Sequence, residues 1–137
     1  KVFNVEQCED VEYPSWEKAD NDPIERCEDI VKGYKTCPKI KPDLSKAFYS
    51  HGDDYIGITP IAQFESSEEY YSTLFHELTH STGHTSRLNR NTIKVGHNYG
   101  SADYSKEELI AEMGASFLRS EARRVGKECR SRWSPDH

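Results

Sequence analysis

The feature that most constrains the fold is a capped amphipathic helix that carries two histidines four residues apart. Ser66 and Glu69 form a capping box, and the apolar positions that follow repeat with helical spacing. These apolar positions are Tyr71, Leu74, Phe75 and Leu78. The sequence therefore predicts a helix that Gly83 closes, with one face turned to a core and with His76 and His80 together on another face.

This pair of histidines has the spacing of a zinc site. Imidazoles at positions i and i+4 of a helix can bind one tetrahedral zinc ion. Glu77 follows the first histidine, where its carboxylate can reach a metal-bound water without being a ligand. We predict His76 and His80 as metal ligands and Glu77 as a catalytic base. The alternative is a pair of surface histidines on the polar side of the helix.

A third protein ligand is required, because two histidines alone bind zinc weakly. Glu108 is the preferred candidate: Glu108 and Glu112 lie one turn apart on a predicted last helix, so that one can bind the metal and the other can orient a histidine. Glu108 could instead belong to a capping box that begins at Ser105. Glu107 and Asp103 are alternative ligands.

Other polar residues near the motif have more than one interpretation. Ser86 stands where metzincins have their third histidine, which excludes that pattern, and His84 is expected to be structural or to orient a ligand. Four residues of the loop between the helices could stabilise an oxyanion, although such groups are more often solvated. They are Arg87, His97, Tyr99 and Tyr104.

The remaining pattern predicts an α+β fold with a small mixed sheet. A first helix is expected with Asp22 as N-cap, Pro23 at its first position and Gly33 as a left-handed stop. Strands are expected at 39–41, 47–49 and 55–58, the last two as a hairpin around residues 51–54. Residues 55–58 form either an edge to which a peptide can add or a core strand.

The last helix is expected to begin at Ser105 and to bury one apolar face. Small residues at Ala111, Gly114 and Ala115 leave room for close helix packing. The face expected to be buried comprises Leu109, Ile110, Met113 and Phe117.

The residues before and after Leu118 differ in net charge. The net charge is −6, but residues 119–137 hold six of the 18 basic residues, and residues 1–118 alone carry −9. A body this acidic is a poor polyphosphate binder. The basic segment 119–137 either binds nucleic acid as a tail or, as we expect, is non-native, because it resembles the translated read-through of a common sequencing adapter.

The cysteines and the apolar content indicate the cellular setting. Cys8, Cys27 and Cys37 form no CxxC pair, so we expect reduced thiols in a cytoplasmic protein. No apolar run approaches the roughly 18–20 residues of a membrane span, and we expect no membrane partner.

Three blocks of the sequence resemble the zincin-type metallopeptidase domain of ArdC-like antirestriction proteins, which occur on plasmids and other mobile elements and are related to TraC-type conjugative primases. The blocks are AFYSHGDDYIGITP, FESSEEYYSTLFHELTHSTGHTSRLNR and YSKEELIAEMGASFL. The similar region covers residues 17–118. Residues 1–16 resemble the end of a preceding domain that binds single-stranded DNA in this family.

The resemblance implies a zincin-like fold, with Zn²⁺ held by His76, His80 and Glu108 in a gluzincin-like arrangement and with Glu77 catalytic. It also implies a peptide or protein substrate, protection of incoming DNA from host restriction, and contact with single-stranded DNA through the preceding domain. Two alternatives remain. The metal site could be structural in a DNA-coating protein, or the peptidase could cleave a repressor.

Overall fold

The structure is a computed structural model that describes residues 20–93 and 99–131, with backbone only beyond Arg123. In these residues the elements are α1 (Glu25–Gly33), β1 (Lys39–Pro42), β2 (Phe48–Ser50), β3 (Tyr55–Ile58), α2 (Ser67–Ser81) and α3 (Ala102–Ser131). Short 3₁₀ helices lie at Ile61–Gln63 and Asn91–Ile93. The architecture confirms the predicted α+β class with a small mixed sheet. The expected remnant 1–16 lies outside the described residues.

The sheet has β3 at its centre. β3 pairs in parallel with β1 and antiparallel with β2, in the order β1-β3-β2. The predicted hairpin is confirmed, and Asp54 in its turn has a left-handed φ of 49°. Ile56 and Ile58 point into the core. The interpretation of residues 55–58 as an edge was wrong, because both sides of this strand are paired.

Helix α2 forms as its sequence predicts. The Ser66 hydroxyl accepts a hydrogen bond from the Glu69 N–H at 3.2 Å, while the Glu69 carboxylate accepts one from the N–H of Glu65. All four residues of the predicted apolar stripe are buried. The helix ends at Ser81, ahead of Gly83, whose φ is not left-handed. Glycine is needed there for space: a Cβ would lie 2.9 Å from both Arg90 Nη2 and Ile93 Cγ2.

Helix α3 buries a different face from the one its hydrophobic residues predict. Leu109, Met113 and Phe117 are 60%, 65% and 67% exposed, whereas Ala111 and Ala115 are buried against the rest of the protein. The reason is the close approach of α2 and α3. A Cβ on Gly114 would lie 2.4 Å from Thr79 Cγ2, so only small residues fit at this crossing.

The start of α3 also differs from the prediction. The helix begins at Ala102, and the hydroxyl that accepts from the N–H of Tyr104 belongs to Ser101, at 3.2 Å. Ser105 is therefore inside the helix, and Glu108 is not part of a capping box. The backbone helix continues to Ser131, and the non-native origin of residues 119–137 stays a prediction.

Helix α1 packs on the core through Cys27 but is capped differently from the prediction. Its N-cap is Ile24 without a side-chain bond, and the carbonyl of Asp22 instead accepts from the Ser67 hydroxyl at 2.6 Å. Gly33 is the last helical residue and is not left-handed. The buried core consists of Cys27, Ile56, Ile58, Tyr71, Leu74, Phe75, Leu78 and Ala115. Among the described residues, no helix is long and apolar enough to cross a membrane.

Candidate metal centre

Helices α2 and α3 bring the three predicted ligand side chains together. Nε2 of His76 lies 3.1 Å from Nε2 of His80. Across the helix pair, the Glu108 carboxylate oxygens lie 3.5 Å from His76 Nε2 and 3.3 Å from His80 Nε2. Within the described residues, these three form the one group of His, Cys, Asp and Glu side chains whose ligand atoms converge closely enough for one metal ion.

The other nitrogen of each imidazole faces a second carboxylate. Nδ1 of His76 lies 3.1 Å from Glu112 Oε1, and Nδ1 of His80 lies 3.2 Å from Glu107 Oε1. An ionised carboxylate only accepts hydrogen bonds, so the contact of His80 Nδ1 with Glu107 favours the tautomer that is protonated at Nδ1 and leaves Nε2 available to a metal.

Two imidazole nitrogens and one carboxylate group thus lie close together, which suits a cation. Four ligands placed tetrahedrally at roughly 2.0–2.1 Å from zinc are separated from each other by roughly 3.3–3.4 Å. The two imidazole nitrogens are 3.1 Å apart, close to this value, and they lie 3.5 and 3.3 Å from two different oxygens of Glu108. Two imidazoles and a carboxylate are a donor set that suits zinc.

Glu77 lies beside this cluster and is buried. Burial raises the pKa of its carboxyl above the ordinary value and the negative charge of Glu108 adds to this rise, whereas His80, His76 and a hydrogen bond from the backbone N–H of Tyr49 offset it only in part. Tyr49 belongs to β2, so this bond connects the sheet to the site. A raised pKa brings a carboxylate closer to the range in which it can take a proton at neutral pH.

A polar cleft of about 350 Å³ opens next to the cluster. It provides access from solvent to His76 and Glu77. Its lining consists of Ser72, Thr73, His76, Glu77, Glu112, Ala115, Ser116 and Arg119. Arg119, whose Nη1 lies 3.3 Å from Ser72 Oγ, belongs to the segment that we expect to be non-native.

Glu107, an alternative ligand in the sequence, occupies another position. Its side chain is 5% exposed, and its carboxylate accepts from Arg90 at 2.6 and 3.1 Å and from Thr92 at 2.6 Å. Burial would raise the pKa of Glu107, but the hydrogen bonds from Arg90, Thr92 and His80 hold it below its ordinary value.

The sequence partly indicates that Glu107 faces α2. Glu107 lies one turn before Ala111 and two turns before Gly114, so it shares the stripe of small residues that packs against α2. Nothing in the local pattern indicates Arg90, which comes from the segment after α2.

Of the other candidates, Arg87 and His84 form hydrogen bonds with residues outside the three predicted ligands. Arg87 is paired with Asp54 and donates to the carbonyl oxygen of Ser81, and His84 bonds Ser86 Oγ at 2.8 Å. Tyr99 is almost fully exposed. The ring of Tyr104 is tilted by 48° against that of Tyr99, with centroids 5.1 Å apart. Tyr104 lies one turn before Glu108, and desolvation together with the negative charge of Glu108 raises the pKa of its hydroxyl. Asp103 is not in the converging group, and His97 lies outside the described residues.

Comparison with known families gives a match over most of the chain. The profile of one family, described as zincin-like metallopeptidase, matches residues 25–132. The matched range contains both helices of the metal centre.

Individual relatives are similar over the same region. DNA primase TraC of Escherichia coli is 40% identical over 123 residues, which cover 88% of this chain and 8% of the primase. The metal-free crystal structure of the antirestriction protein ArdC from the R388 plasmid is 36% identical, covers 73% of this chain and 34% of its own, and has a TM-score of 0.56. The Mn(II)-bound structure of that protein is 33% identical over 66% of this chain and 39% of its own, with a TM-score of 0.49. The chain thus spans well under half the length of these relatives.

Proposed function

Since the chain belongs to the zincin-like metallopeptidase family and is related to TraC and ArdC, we propose that it is a zinc-dependent peptidase domain. His76, His80 and Glu108 would hold the metal, and Glu77 would be the catalytic base. The observation that carries this proposal is the convergence of two imidazole nitrogens and a carboxylate beside an open cleft.

The chain's own residues would position and deprotonate the attacking water. Zinc in such a site would supply Lewis acidity, which acidifies a water and polarises the scissile carbonyl. Glu77 borders the cleft and is not part of the converging ligand group, so its carboxylate is free to accept the proton. The backbone N–H of Tyr49 on β2 lies beside this carboxylate.

The substrate that fits this cleft is an extended peptide. Strand β2 is an edge of the described sheet, and Tyr49 on β2 touches the catalytic carboxylate through its backbone. A peptide that adds to this edge by backbone pairing would run past the metal. The peptide-binding edge is therefore assigned to β2 in place of residues 55–58.

For the whole protein we propose a cytoplasmic antirestriction role on a mobile element. The support is the similarity to a protein that is named antirestriction ArdC and comes from a plasmid. Contact with single-stranded DNA is assigned to a domain preceding residue 17, because residues 1–118 carry a net charge of −9. A structural metal in a DNA-coating protein and cleavage of a repressor are the competing outcomes.

The first experiment measures metal content and peptide hydrolysis on the same preparations. Purified chain is loaded with Zn²⁺ or, separately, Mn²⁺, and then incubated with a mixed peptide library that is read by mass spectrometry. Glu77→Gln should keep stoichiometric metal and lose cleavage, whereas His76→Ala should lose both. His84→Ala, which removes a nearby histidine outside the cluster, should keep both.

Two results would contradict the proposal. Stoichiometric zinc in His76→Ala would exclude the ligand assignment, and full cleavage by Glu77→Gln would exclude the base. Metal binding without hydrolysis by the wild type would favour a structural metal.

The DNA-related part is tested separately. A gel shift with single-stranded oligonucleotides should show binding only for a version extended upstream of Lys1. Transfer of a plasmid that encodes the full-length gene into a restricting host should fall when Glu77→Gln replaces the wild type. Equal plasmid transfer with the wild type and with Glu77→Gln would mean that antirestriction does not require the peptidase activity.

A further inference from the structure

Arg90 is a half-buried cation that contacts both helices of the metal centre from outside the site. Its Nη2 donates to the carbonyl oxygen of Thr79 on α2 at 3.0 Å, and its Nη1 donates to Thr82 Oγ1 at 2.6 Å. Toward α3, Nε and Nη2 each donate to one oxygen of Glu107. One guanidinium therefore joins the end of α2 to the first turns of α3.

We propose that Arg90 is a positioning residue, which sets the orientation of the ligand His80 through Glu107. This inference rests on the metal site of the proposed function. Arg90 makes no contact with the three predicted ligand atoms, so its action would be indirect. No feature of the sequence assigned it this role.

The Glu107 carboxylate, which lies between Arg90 and His80, has a fixed orientation. Oε1 of Glu107 accepts from Arg90 Nη2 at 2.6 Å and faces His80 Nδ1 at 3.2 Å, while Oε2 accepts from Arg90 Nε and from Thr92 Oγ1. The planar two-point contact with a guanidinium prevents rotation of the carboxylate. Rotation would withdraw Oε1 from the imidazole.

The orientation of His80 depends on this contact. With its Nδ1–H held by Glu107, the ring presents Nε2 to His76 and Glu108. Groups that hold the far nitrogen of a metal-binding histidine fix its tautomer and its ring plane. Without Arg90, Glu107 would be a buried carboxylate lacking its cation and would turn toward solvent.

The backbone of the segment after α2 holds Arg90 in this position. Asn89, the preceding residue, has a left-handed φ of 48°, which asparagine tolerates better than most residues. The N–H of Arg90 donates to the carbonyl oxygen of Gly83 at 3.0 Å. A side chain at Gly83 would displace the guanidinium, since its Cβ would lie 2.9 Å from Nη2.

Arg87 provides a matched control. It is also an arginine of the same segment with an acidic partner, Asp54, and it donates to the carbonyl oxygen of Ser81 at 2.7 Å. None of its hydrogen bonds involves His80 or Glu107. Removal of either arginine should destabilise the fold, but only one of them should affect the metal.

The experiment compares Arg90→Gln with Arg87→Gln in the whole chain. Zn²⁺ affinity is measured by competition with a chromophoric chelator, and thermal unfolding of the metal-free forms is followed by circular dichroism. Arg90→Gln should lower zinc affinity by roughly 10–100-fold. Arg87→Gln should leave affinity within about threefold of the wild type, because its site is independent of the ligands.

A spectroscopic measurement accompanies the affinities. Long-range ¹H–¹⁵N correlation spectra of the histidine rings report the tautomer of His80, which should be protonated at Nδ1 in the wild type and mixed in Arg90→Gln. If Arg90→Gln fails to fold, Thr92→Val removes one bond to Glu107 and should lower affinity in the same direction. Arg90→Lys keeps the charge without the two-point contact, so its zinc affinity should lie between that of Arg90→Gln and that of the wild type.

The outcomes separate this inference from the proposed function. Wild-type zinc affinity and an unchanged His80 tautomer in Arg90→Gln would overturn the inference alone. Equal losses of affinity in Arg90→Gln and Arg87→Gln would also overturn it, because they indicate general destabilisation. Failure of the wild type to bind zinc would overturn the proposed function and this inference together.

Discussion

Glu112 Oε1 lies 3.1 Å from Nδ1 of His76, on the opposite side of the imidazole from the Nε2 that faces His80 and Glu108. Glu108 and Glu112 thus contact the same histidine from one helix, one at each ring nitrogen. The proposed function gives the two carboxylates different tasks, a metal ligand and an orienting group, which substitution can distinguish.

Glu112→Gln should weaken zinc binding, because it replaces the carboxylate that faces His76 Nδ1 by a neutral amide. We expect a loss of roughly tenfold, the low end for such contacts, since Glu112 is largely exposed. Glu108→Gln should reduce affinity much further, as it removes a ligand. Calorimetric titration with Zn²⁺ measures both. Glu25→Gln, an exposed charge change on α1, is the control, and equal affinities for Glu112→Gln and wild type would contradict the assignment.

Gly114→Ala should destabilise the packing of α2 against α3. The new methyl would lie 2.4 Å from Thr79 Cγ2, and such overpacking costs about 1–3 kcal/mol of unfolding free energy. Thr79→Ala removes the opposing methyl and hydroxyl, so the double variant should recover most of the loss. Urea unfolding of the two single variants and the double variant measures the coupling. Additive effects would mean that the two side chains do not meet.

Met113→Gln should change the free energy of unfolding by less than about 0.5 kcal/mol, because the side chain is exposed. Ala111→Leu on the opposite face should cost about 1–3 kcal/mol, because that position has no room. Urea unfolding distinguishes this result from the pattern expected if the bulky apolar residues of α3 were its buried face. A large loss of unfolding free energy in Met113→Gln would instead support the prediction that the bulky apolar face of α3 is buried.

Asp54→Asn should reveal the pH dependence of the ion pair with Arg87. The hydrogen bond from Arg87 holds the pKa of Asp54 below its ordinary value of 3.8. A lowered carboxyl pKa adds stability above the unfolded value and loses it as pH falls through the folded value. Asp54→Asn should therefore be less stable than wild type at pH 7, and the difference should shrink below about pH 4. Thermal unfolding from pH 7 to pH 3 measures it, and a constant difference would exclude this linkage.

Local sequence was sufficient for the helix that carries the motif. Ser66 caps it, and the residues from Tyr71 to Leu78 bury the expected face, because capping and amphipathic periodicity act within a few turns. The hairpin around Asp54 follows from the same kind of short-range signal.

The same local signals did not predict which face of α3 is buried. Hydrophobicity favoured Leu109 and Met113 as the buried positions, yet the structure buries Glu107, Ala111 and Ala115. Close approach to α2 requires small side chains, and a buried carboxylate is acceptable there because Arg90, from a distant segment, neutralises it.

The sequence by itself determined that this chain has a helix presenting two imidazoles and a carboxylate next to them. Only the tertiary structure decided that Glu108 faces the histidine pair, that Glu107 instead supports His80, and that β2 borders the site. The physical reason is range. Hydrogen bonding and periodicity within a helix set its exposed residues, whereas the relative rotation of two helices depends on the volumes and charges of side chains far apart in the chain.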